Sequence, residues 1–127
     1  MKILVLSDSH AGLHFMRRCI SAVKPDGMIH LGDYYADGEV MAQENPHIPM
    51  HQVPGNCDRY RMLRYEPPVR CYPVCGVKLY MTHGHEHHVK QTLCRLLADA
   101  RQPRPRRCCT ATPMWRTAIR KRTAFGF

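Results

Sequence analysis

Ile3-Leu4-Val5-Leu6-Ser7-Asp8-Ser9-His10 is the stretch whose reading decides the fold. Four consecutive apolar residues ending abruptly in a polar tetrad are the pattern of a strand buried on both faces. Beyond it, Leu13, Met16, Ile20 and Val23 are spaced three, four and three apart, which predicts a helix with one apolar face. Lys24-Pro25-Asp26-Gly27 stops that helix, and Met28-Ile29-His30-Leu31 predicts a second short strand running into Gly32-Asp33. Strand, helix and strand in this order form a βαβ unit, which implies adjacent parallel strands and a right-handed crossover.

Outward from this unit the signals are shorter. A short helix is expected near residues 39–43, broken by Asn45-Pro46 and Ile48-Pro49. Residues 51–53 predict a weaker strand, after which Pro54-Gly55 turns the chain. Residues 59–68 read as a polar loop ending in Glu66-Pro67-Pro68. Residues 69–72 and 77–81 predict a hairpin about Cys75-Gly76. A last helix is expected over residues 89–100, with Val89, Leu93, Leu96, Leu97 and Ala100 facing inward. There are no internal repeats, and 127 residues suit one domain.

Net charge is +9, but it is unevenly spread. Residues 1–100 carry 11 Lys/Arg and 10 Asp/Glu, whereas residues 101–127 carry 8 Lys/Arg and no acid. The basicity therefore belongs to the tail and says little about the core. The tail lacks aromatic interleaving beyond Trp115, which argues against nucleic acid as a partner. Seven cysteines with no C-x-x-C pair, and no secretory signal, predict reduced thiols in a cytoplasmic protein. No apolar run approaches the ~18 residues of a spanning helix, so no membrane partner is expected.

Four polar motifs follow the apolar stretches: Asp8-Ser9-His10, Gly32-Asp33, Gly55-Asn56-Cys57-Asp58 and Thr82-His83-Gly84-His85. Taken singly, each has a plain reading. Asp8 and Ser9 suit a helix cap, Gly32-Asp33 and Asn56 suit turns, and His83 suits a surface or core histidine. Taken together, they place carboxylate, amide and imidazole donors at four successive strand ends. In an open α/β sheet the loops at that edge converge. The mixture of hard oxygen and borderline nitrogen donors suits first-row divalent ions. Asp8 and His10, two apart, would point the same way in an extended segment and chelate one ion.

These motifs, in this order and spacing over residues 1–100, resemble the calcineurin-like metallophosphoesterase superfamily, and within it the small bacterial and archaeal phosphodiesterase branch. The resemblance implies a four-layer α/β/β/α sandwich holding two divalent metal ions, manganese foremost, with zinc, nickel or iron as alternatives. It implies Asp8 and His10 on the first metal, Asp33 bridging, and Asn56 and His83 on the second. Cys57, Asp58 and Gly84 would lie beside these ligands rather than on the ions. The implied reaction is attack of a metal-activated hydroxide on a phosphomonoester or phosphodiester substrate. A non-catalytic binding scaffold of the same fold is the alternative, exemplified by the retromer subunit that shares it.

Two features depart from the family pattern. Cys57 stands where many members have a histidine credited with protonating the leaving group. The closing Gly-His-x-His motif is absent, which makes the sandwich C-terminally incomplete and the activity of this chain uncertain. His85, His87 and His88 follow His83 too closely to replace it and read as surface histidines. Residues 101–127 read as an aberrant, disordered basic tail. A shifted reading frame explains this composition: from Cys108 to Trp115, the last base of each codon joined to the first two of the next permits Leu-Tyr-Gly-His-Thr-His-Val. The missing base would fall between Ala100 and Arg107.

Overall fold

The computed structural model describes residues 1–74 and 76–101, together with the strand backbones at 107–110 and 118–120. The opening unit is β1 (Lys2–Leu6), α1 (Leu13–Val23) and β2 (Gly27–His30), followed by α2 (Tyr35–Glu44) and β3 (Met50–Gln52). β1 and β2 pair in parallel, with Leu4 opposite Met28 and Leu6 opposite His30, and β2 pairs in parallel with β3. The hairpin is β4 (Val69–Val74) and β5 (Val77–Thr82), antiparallel, with Gly76 at a φ of 73° in its turn. α3 (Cys94–Arg101), β6 (Arg107–Thr110) and β7 (Ala118–Arg120) complete the order.

The strands form two sheets, β3-β2-β1-β7 and β4-β5-β6. Side-chain alternation explains why they stack. Ile29, Leu31 and Val53 meet Leu79 and Met81 in a core between the sheets, with Ile3, Val5, Tyr72, Val74 and Val77 packed around it. The opposite face of the first sheet presents Leu4 and Met28 to Met16 and Ile20 of α1 and Met41 of α2. The outer face of the second presents Tyr80 to Leu96 and Ala100 of α3. Helices, sheet, sheet and helix make the four layers expected.

Several boundaries differ from the sequence expectation. α2 begins four residues before the predicted 39, because its early turns carry Asp37 and Gly38 buried rather than an apolar stripe. The last helix begins at Cys94, not at 89, and residues 84–92 form successive turns instead. Its register leaves Leu93 and Leu97 about half exposed, whereas Leu96 and Ala100 are buried. The sequence suggests no strand beyond residue 100, yet 107–110 runs parallel to β5 and 118–120 antiparallel to β1. Pairing with distant strands, invisible to local periodicity, forms both. The other tail residues, and with them the expectation of a disordered arm, lie outside the described residues.

Met81 has no solvent exposure and sits between the two sheets. Met81→Ala is expected to cost about 2–5 kcal/mol in urea unfolding. Leu63→Ala, at a fully exposed side chain, should stay within about 0.5 kcal/mol.

Candidate metal centre

Parallel pairing delivers the first two motifs to one place. The β1–β2 ladder continues past the strands, with Leu31 N–H donating to Leu6 O and Asp8 N–H to Gly32 O, both at 2.8 Å. The chain then leaves both strands through left-handed backbone. Asp8, His10 and Ala11 have φ of 53°, 44° and 63°, and Asp33 and Tyr34 have φ of 58° and 70°. The segment from Asp8 to His10 thus has left-handed residues, not the extended backbone that the sequence suggested for an i, i+2 pair. Gly32, at φ 94°, lies so close to Gly55 that a Cβ on it would overlap the Gly55 backbone. Only glycine permits this approach.

Asp33 occupies the middle. Its side chain is 6% exposed and accepts a hydrogen bond from Cys57 N–H at 3.0 Å. His10 Nε2 lies 3.8 Å from one carboxylate oxygen and His83 Nε2 lies 3.7 Å from the other. Two overlapping donor groups result, each with ligand atoms mutually within 4.8 Å: Asp8, Asp33 and His83, and His10, Asp33 and Cys57. Asn56 joins the first, its Oδ1 lying 3.0 Å from His83 Nε2. Asp8, Asp33, Asn56, His83 and Gly84 thus line one cleft, His10 and Cys57 join them through Asp33, and Asp58 is buried.

The donor set fits a divalent cation. The Leu31 carbonyl, 2.7 Å from His83 Nδ1, can only accept, so Nδ1 carries a proton. In the neutral ring Nε2 then presents a lone pair to Asn56 Oδ1, and Asp33 adds a carboxylate beside them. Converging lone pairs of this kind are compensated by a cation, and a backbone carbonyl fixing the distal nitrogen is the usual support of an imidazole ligand.

Supporting residues surround these donors: Asp58 and Cys57 were expected beside them, whereas Asp37, His30 and His87 were not legible in the sequence. Asp58, 1% exposed, accepts from Tyr35 N–H at 2.8 Å and Gly55 N–H at 2.7 Å, tying the Asn56 turn to the start of α2. Asp37 accepts from Ala11 N–H at 2.9 Å. His30, wholly buried on β2, meets Ser9 Oγ at 3.2 Å, and burial pushes its pKa down to about 4. Burial, then the Asp33 carboxylate, pushes the Cys57 thiol up. His85 is lowered by burial and by neighbouring His83, whose ring centroid is 5.3 Å away. A cleft of about 370 Å³ joins Asp8, Asp33, Asn56 and His83 to His85, His88, Lys90 and Gln91. His87 is not on the surface: it is 3% exposed, 3.1 Å from Tyr80 Oη and 3.1 Å from Asp99. It anchors the turns after β5 to α3, a role that local sequence does not signal.

The profile of the calcineurin-like phosphoesterase superfamily domain matches residues 1–109, and the chain belongs to that superfamily. It is 33% identical over 105 residues to the probable metallophosphoesterase YsnB of Bacillus subtilis, covering 80% of this chain and 57% of that protein. Its fold is similar to that of a conserved uncharacterised protein, a predicted phosphoesterase, from Streptococcus pneumoniae. The TM-score there is 0.64 at 22% identity, over 86% of this chain and 60% of the other. The chain thus spans about three-fifths of the length of each. No helix among the described residues is long and apolar enough to cross a membrane.

Two outcomes follow from this geometry. Asp58→Ala strands two buried N–H groups and should lower stability by about 2–4 kcal/mol in urea unfolding. Asp58→Asn, which keeps one acceptor, should lose less. For His30, the folded pKa of about 4 lies below the ordinary 6.5, so between these values the unfolded chain binds more protons. Its contribution is therefore full above pH 6.5 and lost as pH falls toward 4, on the order of 3 kcal/mol. In EDTA, the wild type should lose more urea stability than His30→Asn between pH 7 and pH 4.5; parallel pH dependences would refute this.

Proposed function

We propose that this chain is a metal-dependent phosphoesterase, hydrolysing a phosphodiester or phosphomonoester with Asp8, His10, Asp33, Asn56 and His83 as its metal ligands. The observation that carries this is the meeting of these five side chains at the carboxyl ends of β1, β2, β3 and β5. Two divalent ions held there, manganese foremost among manganese, zinc, nickel and iron, would supply an acidified water and neutralise charge developing on phosphorus. The rest of the work falls to the chain. Asp33 stands between the two donor groups, and the Leu31 carbonyl holds His83 in the tautomer that offers Nε2. Lys90, His88 and Gln91 line the far side of the cleft, where a cation and neutral donors can orient an anionic phosphoryl group. Cys57 replaces a proton-donating imidazole, so esters with good leaving groups are favoured. The four cysteines free among the described residues, Cys19, Cys57, Cys71 and Cys94, agree with a reducing, cytoplasmic setting.

The tail enters the same proposal. β6 ends at Thr110, paired with Thr82, so the chain leaves it beside His83. In the shifted frame Gly-His-x-His begins at that point, and its imidazoles would reach the cleft. This position supports reading residues 101–127 as frame-shifted, which the gene's nucleotide sequence across codons 100–127 tests directly.

The activity test uses bis-p-nitrophenyl phosphate with manganese. Asp33→Ala should abolish hydrolysis, and a chain with the alternative frame should exceed the present one by about tenfold or more. Activity retained in Asp33→Ala would refute the assignment of the site. Equal activity of the two chains would refute the role given to the tail.

A further inference from the structure

Cys57 lies closer to the metal ligands than a bystander needs to be. Its sulfur, His10 Nε2 or Nδ1, and an Asp33 carboxylate oxygen are mutually within 4.8 Å. Two donors on one tetrahedral zinc, one sulfur at about 2.3 Å and one nitrogen at about 2.0 Å, are separated by about 3.5 Å. A small side-chain adjustment therefore converts this group into a ligand set. The 3.8 Å between His10 Nε2 and Asp33 is about 0.5 Å longer than the separation of two such nitrogen and oxygen donors, within reach of the same adjustment. The backbone also fixes Cys57 in place, because its N–H donates to Asp33 Oδ1 at 3.0 Å. Asp58, directly after it, is pinned by two buried hydrogen bonds. The thiol is held against the carboxylate, not left to solvent.

Resting on the metal-dependent reading of this cleft, we propose that Cys57 is itself a metal ligand. It forms with His10 and Asp33 a sulfur-containing half-site that prefers a soft, zinc-class ion. On binding, the thiol proton passes to solvent and the thiolate joins the imidazole and carboxylate. The other half, built of Asp8, Asp33, Asn56 and His83, contains only oxygen and nitrogen and suits a harder ion. The cleft is thereby asymmetric: thiolate softness favours zinc over manganese on the His10 side, and Asp33 is shared by both sides.

Cobalt(II) tests this without reference to catalysis. Titrated into the full chain under reducing, oxygen-free conditions, it should raise a saturable thiolate-to-cobalt charge-transfer band in the near ultraviolet. That band should be lost in Cys57→Ser and kept in Cys71→Ser and Cys94→Ser, whose thiols lie outside the group. The ratio of zinc to manganese affinity should fall in Cys57→Ser by more than the ~10-fold that loss of an outer partner produces. Circular dichroism checks that the variant is folded. X-ray absorption on the zinc-loaded wild type gives the answer independently of any variant, a sulfur neighbour at about 2.3 Å being expected. Cobalt binding with no charge-transfer band, or a band surviving in Cys57→Ser, overturns the proposal and leaves the metal cleft standing. Failure of cobalt to bind at all overturns both.

Discussion

A carboxylate buried between two imidazoles, Asp33 between His10 and His83, is the constraint around which this structure is organised. Among the described residues, no Lys or Arg forms an ion pair with it, and Cys57 N–H donates to it. Removing a carboxylate from water costs several kcal/mol when nothing compensates the charge. The two imidazoles turn ring nitrogens toward it, and a bound cation would supply a full compensating charge. The arrangement is incomplete as electrostatics and complete as a ligand cage. The parallel β1–β2 ladder, which puts Asp8 and Asp33 on adjacent turns, makes that cage possible.

The backbone bears a second cost. Five residues other than glycine, Asp8, His10, Ala11, Asp33 and Tyr34, have positive φ in the two loops at this edge. Each such residue costs of order 1–3 kcal/mol and persists only where neighbours over-determine it. The neighbours here are identifiable. Asp37 holds Ala11 N–H, Asp58 holds Tyr35 N–H and Gly55 N–H, and Gly32 packs its backbone against Gly55. Arg61 lies over the Tyr34 ring at 4.4 Å, and that ring meets His10 edge-on at 5.2 Å. Most of the left-handed residues lie in the turns that aim the donors, Lys24 at the end of α1 and His88 after β5 being the others among the described residues.

The fold was legible in the sequence wherever burial was two-sided or periodic. Ile3–Leu6 and the three-four-three spacing of α1 each reflect a continuous face, and the hairpin is marked by turn residues between two β-rich runs. What escaped was non-local. β6 and β7 exist by pairing with β5 and β1, and the turns at 84–92 displace the start of a helix that periodicity placed earlier. At the site, residue types and order singled out five donor-bearing residues, and the fold brings them into neighbouring positions around Asp33. The backbone path escaped, since no local rule predicts left-handed Asp8 and His10. His87 escaped too, because a buried polar residue is recognised by its partners and not by its neighbours in sequence.

These costs bear on the choice between an enzyme and a scaffold. A surface that merely docks a partner needs the packed sheets, which the apolar cores between and outside them supply without help from the cleft. For such a protein an inward carboxylate and five left-handed residues would be a net loss of stability with nothing returned. Asparagine at position 33, or glycine at positions 8 and 10, would relieve much of it. Keeping the charged and strained residues together makes physical sense where a cation binds at that edge and the binding free energy offsets the cost. The energetics of Asp33 and its loops therefore favour a cleft that holds a cation over a bare scaffold.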